Sequence, residues 1–270
     1  MINISVGILT YNSESTISNA LESVKEFSEL IVCDGGSTDE TLEIARKYNC
    51  KIIYQKKKFK FYNKKIKNFS GVRNQILSKA TNKYIFFLDS DEIINKNLKY
   101  YLKKKIDNNM ISNLGIGFVN RKYRLKKKII NYAINYPNFH PRLVNKYAVS
   151  KFIKSVHEKP VLKNDKYKSL NLPKHCFIIV PIDEDSTYLI NKFNYYTSIE
   201  ILMLAKSTFY QFFKFINYRL LVLCLFVLRL IRNTFVFKNN KMPLDYELVL
   251  IYVYFKNIFV LFFKYLSNTK

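Results

Sequence analysis

The sequence is short of cysteine and arginine, and it carries none of the common glycine-rich nucleotide signatures. Its four cysteines, Cys33, Cys50, Cys176 and Cys224, are scattered, with no Cys-x-x-Cys pair. That argues against a disulfide framework or a cysteine zinc site and fits a reducing cytoplasm. No Gly-x-x-x-x-Gly-Lys-Ser/Thr is present, so an acidic strand end in this chain is not the partner of a P-loop. Gly115-x-Gly117 lacks a third glycine and follows no βα turn, which removes the dinucleotide fingerprint. His-Glu-x-x-His and Gly-x-Ser-x-Gly are absent as well. Met1–Thr10 has no basic segment of the kind that opens a secretory signal; Ile4–Leu9 reads as a strand instead. There is no internal repeat.

What the chain has in excess is positive charge. Over 270 residues, 45 Lys and Arg face 20 Asp and Glu, a formal net charge of +25. The length fits one large domain, or one domain with an extension. Lysine supplies most of the charge, whereas readers of specific base sequences rely on bidentate arginine, so no specific nucleic-acid partner is expected. Two readings stay open. One is compositional drift, shared with abundant Asn, Ile, Tyr and Phe. The other is an anionic membrane surface or acceptor, where each lysine contributes about 1 kcal/mol.

The first fifty residues read as three strand–helix units. Ile4–Leu9 is a strand that ends in Thr10-Tyr11-Asn12-Ser13-Glu14, and a helix follows with Ile17, Ala20, Leu21, Val24 and Phe27 on one stripe. Leu30–Cys33 is a second strand, closed by the polar turn Asp34-Gly35-Gly36-Ser37-Thr38-Asp39. A second helix and the strand Lys51–Tyr54 complete the pattern, which implies right-handed βαβ crossovers and a parallel sheet. Gln55–Ser70 interrupts it with lysines interleaved with Phe59, Phe61, Tyr62 and Phe69. This stretch reads as a solvated loop rather than a nucleic-acid track. A helix through Val72, Ile76 and Ala80 leads to the central strand.

That strand, Ile85–Leu88, is an uninterrupted apolar run that passes straight into Asp89-Ser90-Asp91-Glu92. Residues i and i+2 of extended chain point the same way, so Asp89 and Asp91 can converge on one object. Two hard oxygen donors beyond the carboxyl end of a strand suit Mg²⁺ or Mn²⁺ with substrate phosphates. The alternative is that Asp91 caps a helix starting at Ile93 and Asp89 is merely solvated. Further on, Ile116–Val119 and Lys122–Ile130 read as antiparallel strands. From about Thr187 the chain is helical and heavily apolar. Leu220–Leu228 is too short to cross a bilayer, which takes about 20 residues. Leu248–Tyr265 is longer but interrupted by Lys256, Asn257 and Lys264. Helices lying in a membrane interface, a spanning helix, and a dimer interface or helical core are the three readings.

Leu9–Glu14, Val32–Thr41, Gly71-Val72-Arg73-Asn74-Gln75 and Phe87–Glu92 together resemble glycosyltransferase family 2, the inverting GT-A enzymes. His140-Pro141-Arg142-Leu143, Val156-His157-Glu158 and Lys192–Thr197 resemble its lipopolysaccharide core β-1,4-glucosyltransferase branch. Cys33 and Gly35 depart from the commonest turn of the family, and the lysine-rich loop is unusually long. The resemblance implies an α/β fold with a GT-A, Rossmann-like, mixed and mostly parallel sheet over residues 1–185. Residues 186–270 would be an apolar, basic helical extension that associates with a membrane or a second copy in a homodimer. It implies a nucleotide-sugar donor, with UDP as the expected nucleotide, held by Thr10, Tyr11, Asn12, Glu14, Asp34, Gly36, Arg73 and Asp89. Asp91 and Asp89 would hold Mg²⁺ or Mn²⁺, with Arg73 facing the diphosphate. Glu158 would be the catalytic base, with Asp183, Glu184 and Asp185 as alternatives. The acceptor would be a cell-envelope glycolipid or surface glycan such as the lipopolysaccharide core, met at the cytoplasmic face of the membrane. Competing readings are a protein or peptide acceptor, and a basic membrane- or nucleic-acid-binding protein on the same scaffold.

Overall fold

The computed structural model describes residues 1–108, 113–182, 185–204, 207–237 and 239–268. It divides into two compact units, Met1–Lys122 with Asn138–Val180, and Tyr123–Pro137 with Pro181–Lys270. The second unit thus includes a segment that the sequence alone places with the α/β domain.

The first unit is built on strands β1 (Ile2–Thr10), β2 (Phe27–Asp34), β3 (Lys51–Tyr54) and β4 (Tyr84–Asp89), in the order β3-β2-β1-β4 and all parallel. Helices α1 (Glu14–Val24), α2 (Thr41–Lys47) and α3 (Phe69–Lys79) make the crossovers. The α1 stripe Ile17, Ala20, Leu21 and Val24 is wholly buried, as its i, i+3, i+4, i+7 spacing requires. β4 has Ile85, Phe86, Phe87 and Leu88 at 0% exposure, which is why it reads as an apolar run rather than an alternation.

Beyond β4 the sheet is mixed and mostly antiparallel. β6 (Leu114–Leu125) and β8 (Phe139–Asn145) pair with each other, and β8 pairs with β4. The expected helix from Ile93 starts later. Ile93–Ile94 is the short strand β5, and α4 runs Lys96–Asp107. Asn95 caps it, accepting from the Leu98 amide at 2.9 Å, so Asp91 is not the cap. The separate strand expected over Lys122–Ile130 is the end of the long β6 plus β7 (Lys128–Ile129), which folds back on it. A hairpin, β9 (Val149–Ile153) and β10 (Lys159–Leu162), packs beside α3; β11 (Lys168–Asn171), which joins β6 in parallel, and β12 (Phe177–Ile182) follow.

The second unit contains α5 (Thr187–Leu204), α6 (Phe209–Val236) and α7 (Leu244–Asn268). The buried Arg219 guanidinium bonds Glu200 and Asn257, and Asn257 also bonds Thr197 and Glu200, so one polar cluster pins all three helices. Among the described residues α7 alone is long and apolar enough to cross a membrane.

Candidate active site

Parallel pairing sets the ends of three strands at one edge. Thr10 lies beside Asp34, and Leu9 lies beside both Cys33 and Asp89. Everything that follows these strands therefore emerges on the carboxyl side of the sheet, where ligands of open α/β folds bind.

The first two strand-end turns are stitched together by their own polar side chains. Asp34 is fully buried. Its Oδ2 accepts from the amides of Gly36 (2.7 Å) and Ser37 (2.9 Å), and its Oδ1 from the hydroxyls of Ser37 (2.5 Å) and Thr10 (3.1 Å). Four donors fill the capacity of a carboxylate. Gly36 takes φ +96°, which only glycine adopts readily, and so brings its amide round to Asp34. Asn12 accepts from the Thr38 amide at 2.9 Å, and its own amide donates to Ser37 Oγ at 2.8 Å. Glu14 accepts from the Glu40 amide at 3.0 Å, while Asp39 accepts from the amides of Glu14 and Thr41 at 3.1 Å each. Thr10, Asn12, Glu14 and Asp34 thus all build the turn. Tyr11 is half-buried, with its ring edge against Gly35.

The third strand end is organised by arginine. Arg142 on β8 donates to Asp89 Oδ1 at 3.1 Å and Oδ2 at 2.8 Å, and to Glu92 at 2.8 Å. Arg121 on β6 reaches Glu92 at 2.7 Å. Glu92 is completely buried, and its other oxygen accepts from the Asp89 amide at 3.0 Å. Burial opposes ionisation of Asp89, but Arg142, Arg73 and Arg121 hold its carboxyl well below the usual range. Burial pushes Glu92 up against the pull of Arg121 and Arg142. Asp91 has no hydrogen bond or ion pair within the described residues and is half-buried. The two aspartates are therefore unlike: Asp89 has both oxygens taken by Arg142, and Asp91 presents free ones.

Arg73, on α3 and only 6% exposed, donates Nε to Glu158 and Nη2 to Asp89 at 3.5 Å. Its Nη1 is buried with no partner. Glu158 arrives at the foot of β10. Asn74 of α3 fastens β9 by exchanging bonds with the Phe152 amide and carbonyl at 2.7 and 3.0 Å. His157 sits at φ 52°, in a region costly for a residue with a side chain, so the hairpin is held there by its surroundings. His140 on β8 donates to Asn138 at 2.8 Å; burial first, then Arg121 and Arg142, keep its imidazole well below the ordinary pKa. Asp183 and Glu184 lie outside the described residues. Asp185 accepts from the Thr187 amide and hydroxyl at 2.8 and 2.7 Å, as a helix-start residue does.

Arg73, Asp89, Asp91 and Glu158 are thus gathered at one edge with the Thr10–Glu14 and Asp34–Gly36 turns. Sequence reasoning gave no role to Arg142, Arg121 or Glu92. A third acid three residues beyond a strand-end Asp, with two arginines on later strands, was the available signal for them.

A largely parallel α/β sheet with polar turns and acids at its carboxyl edge is the class of fold that binds ligands at that edge. The chain belongs to the family described as Glycosyl transferase family 2, which matches residues 5–164. It is 36% identical over 104 residues to the SPbeta prophage-derived glycosyltransferase SunS of Bacillus subtilis, covering 37% of this chain and 23% of that protein. It is 35% identical over 105 residues to the poly(ribitol-phosphate) beta-N-acetylglucosaminyltransferase TarS of Staphylococcus aureus, covering 36% and 17%. With the UDP-Glc:alpha-D-GlcNAc-diphosphoundecaprenol beta-1,3-glucosyltransferase WfaP of Escherichia coli it shares 36% over 110 residues, 39% of each. The matches span less than half the length of each of these relatives. A crystal structure of S. aureus TarS 1-349 with UDP-GlcNAc aligns over 98% of this chain and 88% of that one, at TM-score 0.46 and 17% identity.

Proposed function

We propose that the chain transfers a sugar from a UDP-sugar to a hydroxyl of a cell-envelope glycolipid or surface glycan, with inversion. The observation that carries this reading is the buried Arg73 Nη1, an unpartnered cationic donor at the same sheet edge as the free Asp91 carboxylate. A buried donor left without an acceptor is costly, and an anionic ligand group supplies one. The base and ribose would lie on Tyr11, with the Gly36 backbone letting the nucleotide approach closely and Asp34 acting through the turn it orders. WfaP and TarS, by their names, act on a lipid-linked sugar and on a polyol phosphate polymer. The acceptor class follows that precedent, and the lipopolysaccharide core is the member of it that the sequence resemblance picks.

The site fits a divalent ion through Asp91. Mg²⁺ is commonly bound by one or two carboxylates plus substrate phosphates, and no group of three His, Cys, Asp or Glu side chains exists among the described residues to hold an ion alone. Asp91 would hold the ion and Asp89, already paired with Arg142, would not. When bound, such an ion neutralises charge on a leaving nucleoside diphosphate. Arg73 adds a fixed positive charge at the same place, preorganised by Glu158 and Asp89. Glu158 would be the base that takes the acceptor proton, through the carboxylate oxygen that Arg73 does not hold.

The second unit would hold the enzyme at the cytoplasmic face of the membrane. Leu248, Tyr252, Phe255, Phe259, Phe263 and Leu266 are exposed along one stripe of α7, and α6 exposes Phe213, Leu221, Leu228 and Phe235. Apolar surface of that extent marks an interaction site, and the lysines around it suit anionic headgroups. The test of function is UDP with Mn²⁺. Saturating UDP at about 100 Kd should stabilise the protein by about 2.7 kcal/mol, and UDP-sugar should be consumed. No stabilisation by UDP, with or without Mn²⁺, rejects the donor.

A further inference from the structure

The lysine-rich stretch after β3, read above as a plain connecting loop, is a folded arm that returns to the site. Gln55 roots it under both strand ends: its amide donates to the Asp34 carbonyl at 2.8 Å, and its side chain to the Cys33 and Thr10 carbonyls at 3.0 and 3.3 Å. A 3₁₀ turn, Lys57–Phe59, lays the Phe59 ring on Gly71, where a Cβ would collide with it. A small hairpin follows, with Lys60 opposite Ile66 and the Phe61 amide on the Lys65 carbonyl at 2.8 Å. The Lys67 amide ties the return to Phe59 at 2.9 Å, and Asn68 then caps α3, the helix that carries Arg73.

This fold delivers two ammonium groups to adjacent carbonyls of the Asp34–Ser37 turn. Lys60 Nζ donates to Gly35 O at 2.7 Å, and Lys64 Nζ reaches Gly36 O at 3.5 Å. Among the described residues neither makes an ion pair. Asp34, the carboxylate of that same turn, is already filled by its four donors. Two like charges so placed repel, and a carbonyl oxygen accepts from an ammonium without cancelling its charge. An anion of two or more charges lying on the turn would relieve both.

We propose that Lys60 and Lys64 are donor-binding residues whose ammonium groups leave the Gly35 and Gly36 carbonyls to pair with the diphosphate of the nucleotide-sugar. The proposal rests on the donor reading above and extends it to a part of the chain outside the family motifs. Lysine suits the task because its flexible stem lets one charge serve two partners in turn. The pair acts in binding, so its loss raises KM and leaves kcat nearly unchanged.

The test is titration of the full chain with UDP, UMP and uridine in Mg²⁺, comparing Lys60→Met, Lys64→Met and the double variant. Lys57→Met removes an exposed charge of the same arm and serves as the control, and Lys60→Arg restores charge. Loss of a charge-assisted bond predicts UDP binding weakened about 10-fold or more in the double variant. UMP should suffer less, uridine not at all, and Lys57→Met should stay within about twofold, the small effect of a distant screened charge. Lys60→Arg should recover most of the affinity, and the salt dependence of UDP binding should flatten in the double variant. Equal losses for uridine and UDP would place the lysines on the base and overturn the proposal, as would unchanged UDP affinity. Failure of the unchanged chain to bind UDP rejects the donor reading itself, and the lysine assignment with it.

Discussion

Arg142 holds Asp89 with both terminal nitrogens, at 3.1 and 2.8 Å, and gives the second of them to Glu92 at 2.8 Å. One guanidinium therefore ties the last residue of β4 to the last residue of its acidic turn, and fixes the direction in which Asp91 leaves the sheet. Asp89 and Asp91 have the i, i+2 spacing of a ligand pair, yet only Asp91 is unpaired.

Arg142→Met should be costly in stability. It strips Asp89 of both Arg142 bonds, leaving it Arg73 at 3.5 Å, and leaves Glu92 with Arg121 among the arginines. Breaking a buried pair costs about 3–5 kcal/mol, and the low end applies because Asp89 is partly solvated and Arg121 remains. Arg142→Lys should recover part of the stability but not the two-pronged grip. Urea unfolding of both variants measures this. A loss under about 1 kcal/mol, the ordinary worth of a surface pair, would refute the role assigned to Arg142.

Asp91→Asn should keep the fold and lose metal-enhanced binding of UDP. Its carboxylate makes no bond that the fold uses, so the melting temperature without ligand should stay put. The measurement is the UDP-induced shift with and without Mn²⁺. An Mn²⁺-dependent shift as large as that of the unchanged chain would move the ion elsewhere.

His140 should make the protein sensitive to mild acid. Its pKa is lowered in the folded state by burial, with Arg121 and Arg142 adding to it. Below the ordinary histidine pKa of about 6.5 the unfolded chain gains a proton that the folded one refuses, so stability falls as pH falls. One such group contributes at most about 1.4 kcal/mol per pH unit. His140→Asn should flatten the stability profile between about pH 6.5 and 5, the span just below that pKa. Parallel profiles for the two proteins would show that His140 does not set it.

The fold was legible where one physical signal dominated. Ile85–Leu88 is apolar because both faces of β4 are covered, and the α1 stripe repeats because one face is. The strand-end motifs also announced the sheet edge. What could not be read was partnership across the chain. Nothing local to Asp89 says that Arg142, far along the chain, will occupy its carboxylate. Nor does anything in Asp34-Gly35-Gly36-Ser37 show that Asp34 spends both oxygens on its own turn. The loop at residues 55–70 looked solvated because its lysines outnumber its anchors, but Phe59 on Gly71 and Gln55 on two carbonyls decide its course.

The α7 stripe should bind membrane. Replacing Phe255, Phe259 and Phe263 by Gln removes exposed apolar surface and leaves the buried face through Leu250, Val253, Asn257 and Leu261 intact. The unchanged chain should pellet with anionic vesicles and be released mostly by salt, and the triple variant should stay in solution. If the unchanged chain is soluble, indifferent to vesicles and dimeric, the stripe is a subunit contact. Extraction only on dissolving the bilayer would make α7 a spanning helix.

Glu158→Gln should separate binding from chemistry. An inverting transfer needs a base within hydrogen-bond reach of the acceptor hydroxyl, on the face away from the leaving group. Asp89 is tied to Arg142 and Asp91 is reserved for the diphosphate side, so neither serves. Glu92 is fully buried between Arg121 and Arg142, which leaves Glu158 as the acid of this edge among the described residues, gripped through Arg73 and following His157 at φ 52°. Glutamine keeps an oxygen for Arg73 but cannot accept the acceptor proton. UDP affinity should therefore change little, while turnover falls by about 10²–10⁴-fold, the usual loss for a general base. The companion is Arg73→Lys, which should weaken UDP binding as well as turnover, because it removes the buried donor proposed for the diphosphate. Normal turnover in Glu158→Gln, with a loss in Asp183→Asn or Asp185→Asn, transfers the base to that later acid.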